Sequence, residues 1–259
     1  GITDWVYEEE FAFVRAFEWN ASSNKIAFIR FDETEVPEFS MDVYGTELYQ
    51  TQEVFKYPKA GEKNAEVSLQ FYDLSADEIT TTSLSKTYND FYIPRIKWTK
   101  DPNILSAQYI NRHQNALDLW LINPSTNQAD LVLTDTDKAY VDVTDNLTFL
   151  EDNSFIWTSE KDGFNHIYHY TKEGKLKNQI TKGDWEVTAY YGFNESAKTI
   201  YYQSVENGSI NRDVYSIRLN GKNKKRLSSA EGTNGADFSA DFTYFIKTYS
   251  SATTPPKYT

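Results

Sequence analysis

The feature that most limits how this chain can fold is a recurring segment: an aromatic anchor, a polar turn, then a strand rich in aromatic and β-branched residues. It occurs as Phe17-Glu18-Trp19-Asn20 before Lys25-Ile26-Ala27-Phe28-Ile29, and as Ile96-Lys97-Trp98-Thr99 before Asn103-Ile104-Leu105-Ser106-Ala107. Two further copies centre on Phe149 and Phe193, and a last one on Phe238. After the middle copies comes a second hairpin signature, for instance Asp213-Val214-Tyr215-Ser216-Ile217, the turn Asn220-Gly221, then Lys225-Arg226-Leu227. Short strands separated by turn signals mean an all-β protein. The anchors Trp19, Trp98, Phe149, Phe193 and Phe238 recur every roughly 40–50 residues apart from one longer interval, the length of a four-stranded propeller blade. The expectation is a β-propeller segment of about four to five four-stranded blades, cut from a larger ring.

The expected boundaries follow. Residues 1–14 form the tail of a preceding blade, and residues 15–92 a blade carrying an insertion. Residues 93–145, 146–188 and 189–235 form three more, and residues 236–259 begin another. The insertion fills the long interval between Trp19 and Trp98. A blade needs no such segment, so residues 38–56 are expected to project as a hairpin arm. Its aromatics Phe39, Tyr44, Tyr49 and Phe55, if exposed, mark a contact surface.

Much chemistry is excluded. The chain has no cysteine, hence no disulfide, thiolate nucleophile or cysteine metal site. Its net charge of −12 argues against nucleic acid, which needs clustered Lys and Arg. The basic run Lys222-Asn223-Lys224-Lys225-Arg226 reads as a hairpin tip. No apolar run approaches a membrane span. There is no Gly-x-Ser-x-Gly elbow, phosphate loop or dinucleotide fingerprint. His166 and His169 lie three apart in a strand and so face opposite ways, as packed or surface histidines and not a metal pair. Asp142, Asp145, Glu151 and Asp152 cluster around a turn. Two such acids could serve glycoside hydrolysis, but solvated turn acids are the simpler reading. No catalytic residue, metal or cofactor is expected within this chain.

One stretch does not fit an ordinary element. Asp4-Trp5-Val6-Tyr7-Glu8-Glu9-Glu10-Phe11 sets three consecutive carboxylates among aromatic residues. Trp5, Tyr7 and Phe11 should anchor it to a core. Asp4 can cap a short helical turn over residues 5–10. The acids then fall at the end of that turn, where the dipole disfavours negative charge. Such a cluster makes sense when a cation arrives to neutralise it, whereas a solvated acidic surface turn is the plainer alternative. Which two acids would act together stays open, because a strand pairs Glu8 with Glu10 and a helix sets neighbours about 100° apart.

Taken in order, Asp4 to Phe11, Phe31-Asp32-Glu33-Thr34-Glu35-Val36-Pro37, Tyr57-Pro58-Lys59-Ala60-Gly61-Glu62-Lys63-Asn64 and Thr181-Lys182-Gly183-Asp184-Trp185-Glu186-Val187 resemble successive landmarks of dipeptidyl peptidase IV, a family of serine peptidases. The resemblance implies an eight-bladed propeller, of which this chain is roughly the second half. An α/β-hydrolase domain would follow outside it and remove N-terminal dipeptides with proline or alanine second. It further implies that Glu9 and Glu10 hold the substrate's free α-amine, with Glu8, Trp5 and Tyr7 in support. The arm around residues 38–56 is implied to contact a second copy, although its residues depart from the family's usual forms. A cleft-lining basic and aromatic pair of the family is replaced near Tyr140-Val141-Asp142. The implied parent is a bacterial, membrane-associated enzyme of the periplasm or cell surface, homodimeric, with peptide substrates and its own hydrolase domain as partners. The fragment alone should be inactive. A stand-alone propeller that binds a protein or peptide, or a glycan-active propeller, are the alternatives.

Overall fold

A computed structural model describes residues 4–259. The chain resolves into two compact units, Gly1–Thr134 with Lys138–Val143, and Asp135–Asp137 with Thr144–Thr259.

The first unit opens with a seven-residue helix, α1 (Trp5–Phe11). Two four-stranded antiparallel sheets follow. One runs in the order β1 (Phe17–Trp19), β2 (Lys25–Asp32), β5 (Glu66–Asp73), β6 (Glu78–Thr81). The inserted hairpin β3 (Glu38–Val43) and β4 (Thr51–Lys56) leaves from between β2 and β5 and pairs only with itself. In β2 the side chains alternate, so Ala27 and Ile29 are buried and stand opposite Phe71 and Leu69 of β5. The second sheet is a meander of β7 (Phe91–Trp98), β8 (Leu105–Asn111), β9 (Ala116–Asn123) and β10 (Gln128–Thr136). Its inner strand β8 is buried along almost its whole length. Covered on both faces, it reads as a near-continuous run of buried residues and not as an alternation.

The second unit repeats the meander twice: β11 (Thr148–Phe149) through β12 (Phe155–Ser159), β13 (His166–Tyr170) and β14 (Leu176–Gln179), then β15 (Val187–Asn194), β16 (Thr199–Ser204), β17 (Asp213–Arg218) and β18 (Lys225–Arg226). A three-stranded sheet of β19 (Thr233–Phe238), β20 (Phe245–Ser251) and β21 (Thr254–Tyr258) closes the chain. Ile156, Ile167, Ile180, Val187, Ile200 and Tyr202 form one apolar core across the two meanders. His166 and His169 are both buried in β13; His169 meets Ser154 Oγ at 2.9 Å and His166 meets Thr181 Oγ1 at 3.0 Å. Strands β7, β15 and β19 each begin two or three residues ahead of the boundaries expected from the sequence.

Each unit also buries an aspartate and satisfies it. Asp118 of β9 accepts bonds from Tyr88 Oη (2.5 Å), Thr134 Oγ1 (2.6 Å) and the Lys86 ammonium. Asp213 of β17 accepts from Ser228 Oγ (2.6 Å), Arg226 (2.8 Å) and Asn207 Nδ2 (2.9 Å). Buried charge is tolerated only when it is paired and hydrogen-bonded, and each acid ties several segments of its sheet together.

The arm differs from its sequence reading in one respect. Tyr44 and Tyr49 are fully solvent-facing, but Phe39 and Phe55 are half-buried. Phe39 and Phe55 stand opposite each other in the hairpin register with ring centroids 6.0 Å apart, and both touch Tyr57 at the arm's base. Directly opposed aromatics on one face of a two-stranded ribbon find each other before they find a partner.

Candidate functional site: the glutamate helix

Seven residues are too few for a helix to hold itself in water, so α1 depends on its ends and its buried face. At the start, Asp4 Oδ1 accepts the N–H groups of Val6 (3.0 Å) and Tyr7 (3.3 Å). At the end, Ala12 turns left-handed (φ 49°, ψ 40°) and the Phe13 N–H donates to Tyr7 O at 3.0 Å. Tyr7 and Phe11, one turn apart, face inward with Val6. The Tyr7 ring is 1% exposed and lies edge-on to Phe31 (4.8 Å), Phe11, Phe13 and Tyr92, while its hydroxyl accepts the Ile93 N–H at 2.7 Å. Trp5 packs on Tyr57 at 4.4 Å. Burial pushes the Tyr7 phenol far above its ordinary range, so it stays neutral.

The remaining positions, Glu8, Glu9 and Glu10, face outward and are exposed. Neither Glu9 nor Glu10 makes a hydrogen bond or ion pair among the described residues, and the backbone beneath them is fixed from both ends. That combination presents negative charge in a set position with its lone pairs free.

Two tyrosine hydroxyls feel the charge of Glu10. Burial raises the Tyr140 phenol, and the charges of Asp142 and Glu10 raise it further. Tyr92 is raised first by burial, with Asp90 and Glu10 adding to it and Asn64 and Arg112 opposing. Glu10 is therefore within electrostatic reach of both hydroxyls. Tyr140 Oη donates to Gln114 Oε1 at 3.1 Å, and Tyr92 Oη accepts from Asn64 Nδ2 at 2.6 Å. Asn64 also lines a cavity of about 550 Å³ with Tyr88, Asp90, Phe91 and Arg112. Of these, Tyr140 and Asp142 stand out in the sequence, whereas Tyr92 and Arg112 do not. Nothing local marks those two: Tyr92 meets Tyr7 and Phe11 from β7, and Arg112, in the turn after β8, lies near Tyr92 and bonds Asp90.

Behind the helix lies a second carboxyl pair. Burial raises Asp4 above its ordinary value despite the two backbone bonds it accepts and its hydrogen bond with Glu33. Glu33 is itself raised by burial and by the charge of Asp4, with Lys56 opposing. Among the described residues no group of three or more histidine, aspartate or glutamate side chains is placed to hold a metal.

The profile of the family described as "Dipeptidyl peptidase IV (DPP IV) N-terminal region" matches residues 1–256. The chain belongs to that family. The crystal structure of Porphyromonas gingivalis dipeptidyl peptidase 4 superimposes with a TM-score of 0.93 at 42% identity, covering 100% of this chain and 37% of that one. Sequences described as "Probable dipeptidyl-aminopeptidase B" are similar, at 29% identity in Metarhizium robertsii and 30% in Pyrenophora tritici-repentis, each over 96% of this chain. The chain spans only 30% and 32% of those two relatives. As a dipeptidyl peptidase IV N-terminal region the protein has an all-β propeller fold, and its four-stranded sheets are blades of it.

Proposed function

We propose that this dipeptidyl peptidase IV N-terminal region is the non-catalytic, substrate-measuring part of a serine-type dipeptidyl peptidase. In this reading Glu9 and Glu10 bind the free α-ammonium of a peptide, so that a hydrolase domain elsewhere in the parent protein releases Xaa-Pro or Xaa-Ala dipeptides. The observation that carries it is the pair of exposed, unbonded carboxylates on a helix held by its Asp4 cap and by buried Val6, Tyr7 and Phe11. Each charge-assisted hydrogen bond contributes about 1.5–3 kcal/mol. Two together favour a free amine over an acylated one by about 3–6 kcal/mol. Tyr140 sits where it can border the same ligand. Glu8 adds to the field, while Trp5 and Tyr7 hold the platform. The reading extends to export of a bacterial parent to the periplasm or cell surface, membrane association, and dimerisation through the arm, with Tyr44 and Tyr49 as its outward aromatics.

The test uses the parent enzyme with Glu9→Gln and Glu10→Gln, singly and together. Each single variant should lower kcat/KM for a free-amine dipeptide substrate by about tenfold to a hundredfold. The preference over the N-acetylated analogue should collapse in the double variant. Undiminished discrimination in the double variant removes the proposed role.

A further inference from the structure

A second site of opposite charge lies in the second unit, between the β11–β14 and β15–β18 blades. A cavity of about 530 Å³ is lined by Lys177, Lys198 and Arg218, by the asparagines Asn178, Asn220 and Asn223, and by His169 and Leu219. In the whole chain acids outnumber bases 38 to 26, yet this cavity collects three cations and no carboxylate. Like charges gathered at one spot repel unless an anion offsets them.

The walls are built and not incidental. Asn178 Nδ2 of β14 donates to Leu219 O at 3.1 Å, joining one blade to the next. The Leu219 N–H donates to Lys198 O at 3.0 Å, which fixes the β15–β16 turn against the end of β17. At Gly221 (φ 75°) the β17–β18 turn runs so close to the first blade that a Cβ would lie 3.4 Å from Ile180 O. The Gly221 N–H closes that turn on Arg218 O at 2.8 Å. His169 is 3% exposed, and burial together with Lys177 holds its imidazole below the ordinary value, so the positive charge comes from the rim.

Part of this donor set is uncommitted among the described residues. Among the described residues Lys177 has one acidic neighbour, Asp152 at 3.9 Å, and Lys198 pairs with Glu195. Arg218 has no carboxylate partner among the described residues; its guanidinium donates only to Ala197 O. The Asn223 amide has no hydrogen bond among the described residues, and the Asn220 amide uses only its oxygen, on the Lys222 N–H. Guanidinium and ammonium groups suit a tetrahedral oxyanion, and free amides suit the hydroxyls of whatever carries it. A volume of this size exceeds a bare ion and falls in the range of small-molecule sites.

We infer that this inter-blade cavity binds a phosphate- or sulfate-bearing saccharide, with Arg218, Lys198 and Lys177 on the oxyanion and Asn220 and Asn223 on the sugar. The site is independent of the amine-binding reading of the glutamate helix.

Calorimetric titration of the intact parent protein tests it, with inorganic phosphate, inorganic sulfate, glucose 6-phosphate, glucose 6-sulfate and glucose as probes. The expected result is one site per chain for the anions and tighter binding of the two sugar esters. Glucose alone should give no signal. The ranking of the two esters identifies which oxyanion the cavity takes. Arg218→Gln should weaken every anion by about tenfold or more, whereas Lys257→Gln, on the exposed last strand, should change nothing. Because Arg218 is exposed, an unchanged melting temperature shows that the variant is folded. Absence of stoichiometric binding, or affinity that survives Arg218→Gln combined with Lys198→Gln, overturns the assignment.

Discussion

Two sets of acids in this molecule are treated in opposite ways. Asp118 and Asp213 are 1% exposed and surrounded by donors from strands and from the loops beside them. Glu9 and Glu10 are exposed and take no donor among the described residues, although the helix under them is capped at both ends and buries Val6, Tyr7 and Phe11. In the first set the donors are supplied by the fold, and the charge serves cohesion. In the second the fold supplies position and withholds the donors. The difference separates acids that hold the structure from acids left free for something that arrives.

That contrast can be broken by substitution. The largest effect is expected at Tyr7, which underlies the exposed set: Tyr7→Ala should cost about 4 kcal/mol in denaturant titration, as large buried aromatics do. It should also abolish the free-amine preference, since the platform goes with the ring. Asp213→Ala should cost about 3 kcal/mol by leaving Arg226, Ser228 and Asn207 without their shared acceptor, with no loss of amine preference in the surviving folded fraction. Asp4→Ala should cost about 1 kcal/mol through the lost cap. At the small end, the Glu9→Gln/Glu10→Gln pair should change stability by less than about 0.5 kcal/mol, the range of substitutions that touch nothing. A destabilisation as large as that of Asp213→Ala would show that the two sets are not different in kind.

pH sharpens the same comparison. Burial alone would raise Asp213, but the bonds from Ser228, Asn207 and Arg226 win, so its folded-state value lies below the ordinary 3.8 of a free aspartate. Its stabilisation is therefore present above that value and is lost as pH falls through the lower folded-state one. Asp4 runs the other way. Its folded-state value is raised by burial, so its carboxylate form is penalised in the fold and stability declines as pH rises from 3.8 through the folded-state value. Asn caps a helix as well as Asp. Asp4→Asn should consequently gain on the parent sequence as pH rises, and Asp213→Asn should lose, in denaturation curves taken at a series of pH values.

Local chemistry made much of this legible. The cap at Asp4, the i, i+4 pair Tyr7 and Phe11, and the three acids between them specify α1 almost to the residue. A polar turn followed by aromatic and β-branched residues marks β2, and the anchors space the blades. Features that join distant segments were not legible. Asn20 and Asn111 each accept two backbone N–H groups and hold Asn24 and Asn115 at 2.8 Å, closing loops in which Ser23 and Gln114 turn left-handed. The repeated spacing is in the sequence, but nothing announces its role. A hairpin arm suggests exposure for Phe39 and Phe55, and the register that pairs them follows only from the turn. The cations of the inter-blade cavity come from β14, from β17 and from the turn ahead of β16, so no window of sequence contains them.

The way the arm is spliced in has its own consequence. Strands β2 and β5 pair without a break from Lys25 with Asp73 to Asp32 with Glu66, so the chain leaves and re-enters the sheet at adjoining positions. Lengthening a loop whose ends are already held together adds little to its closure entropy. The projection between them behaves as a cartridge: its tip can be shortened, extended or exchanged from one lineage to another while the ladder beneath keeps its register, leaving the surface it offers free to diversify.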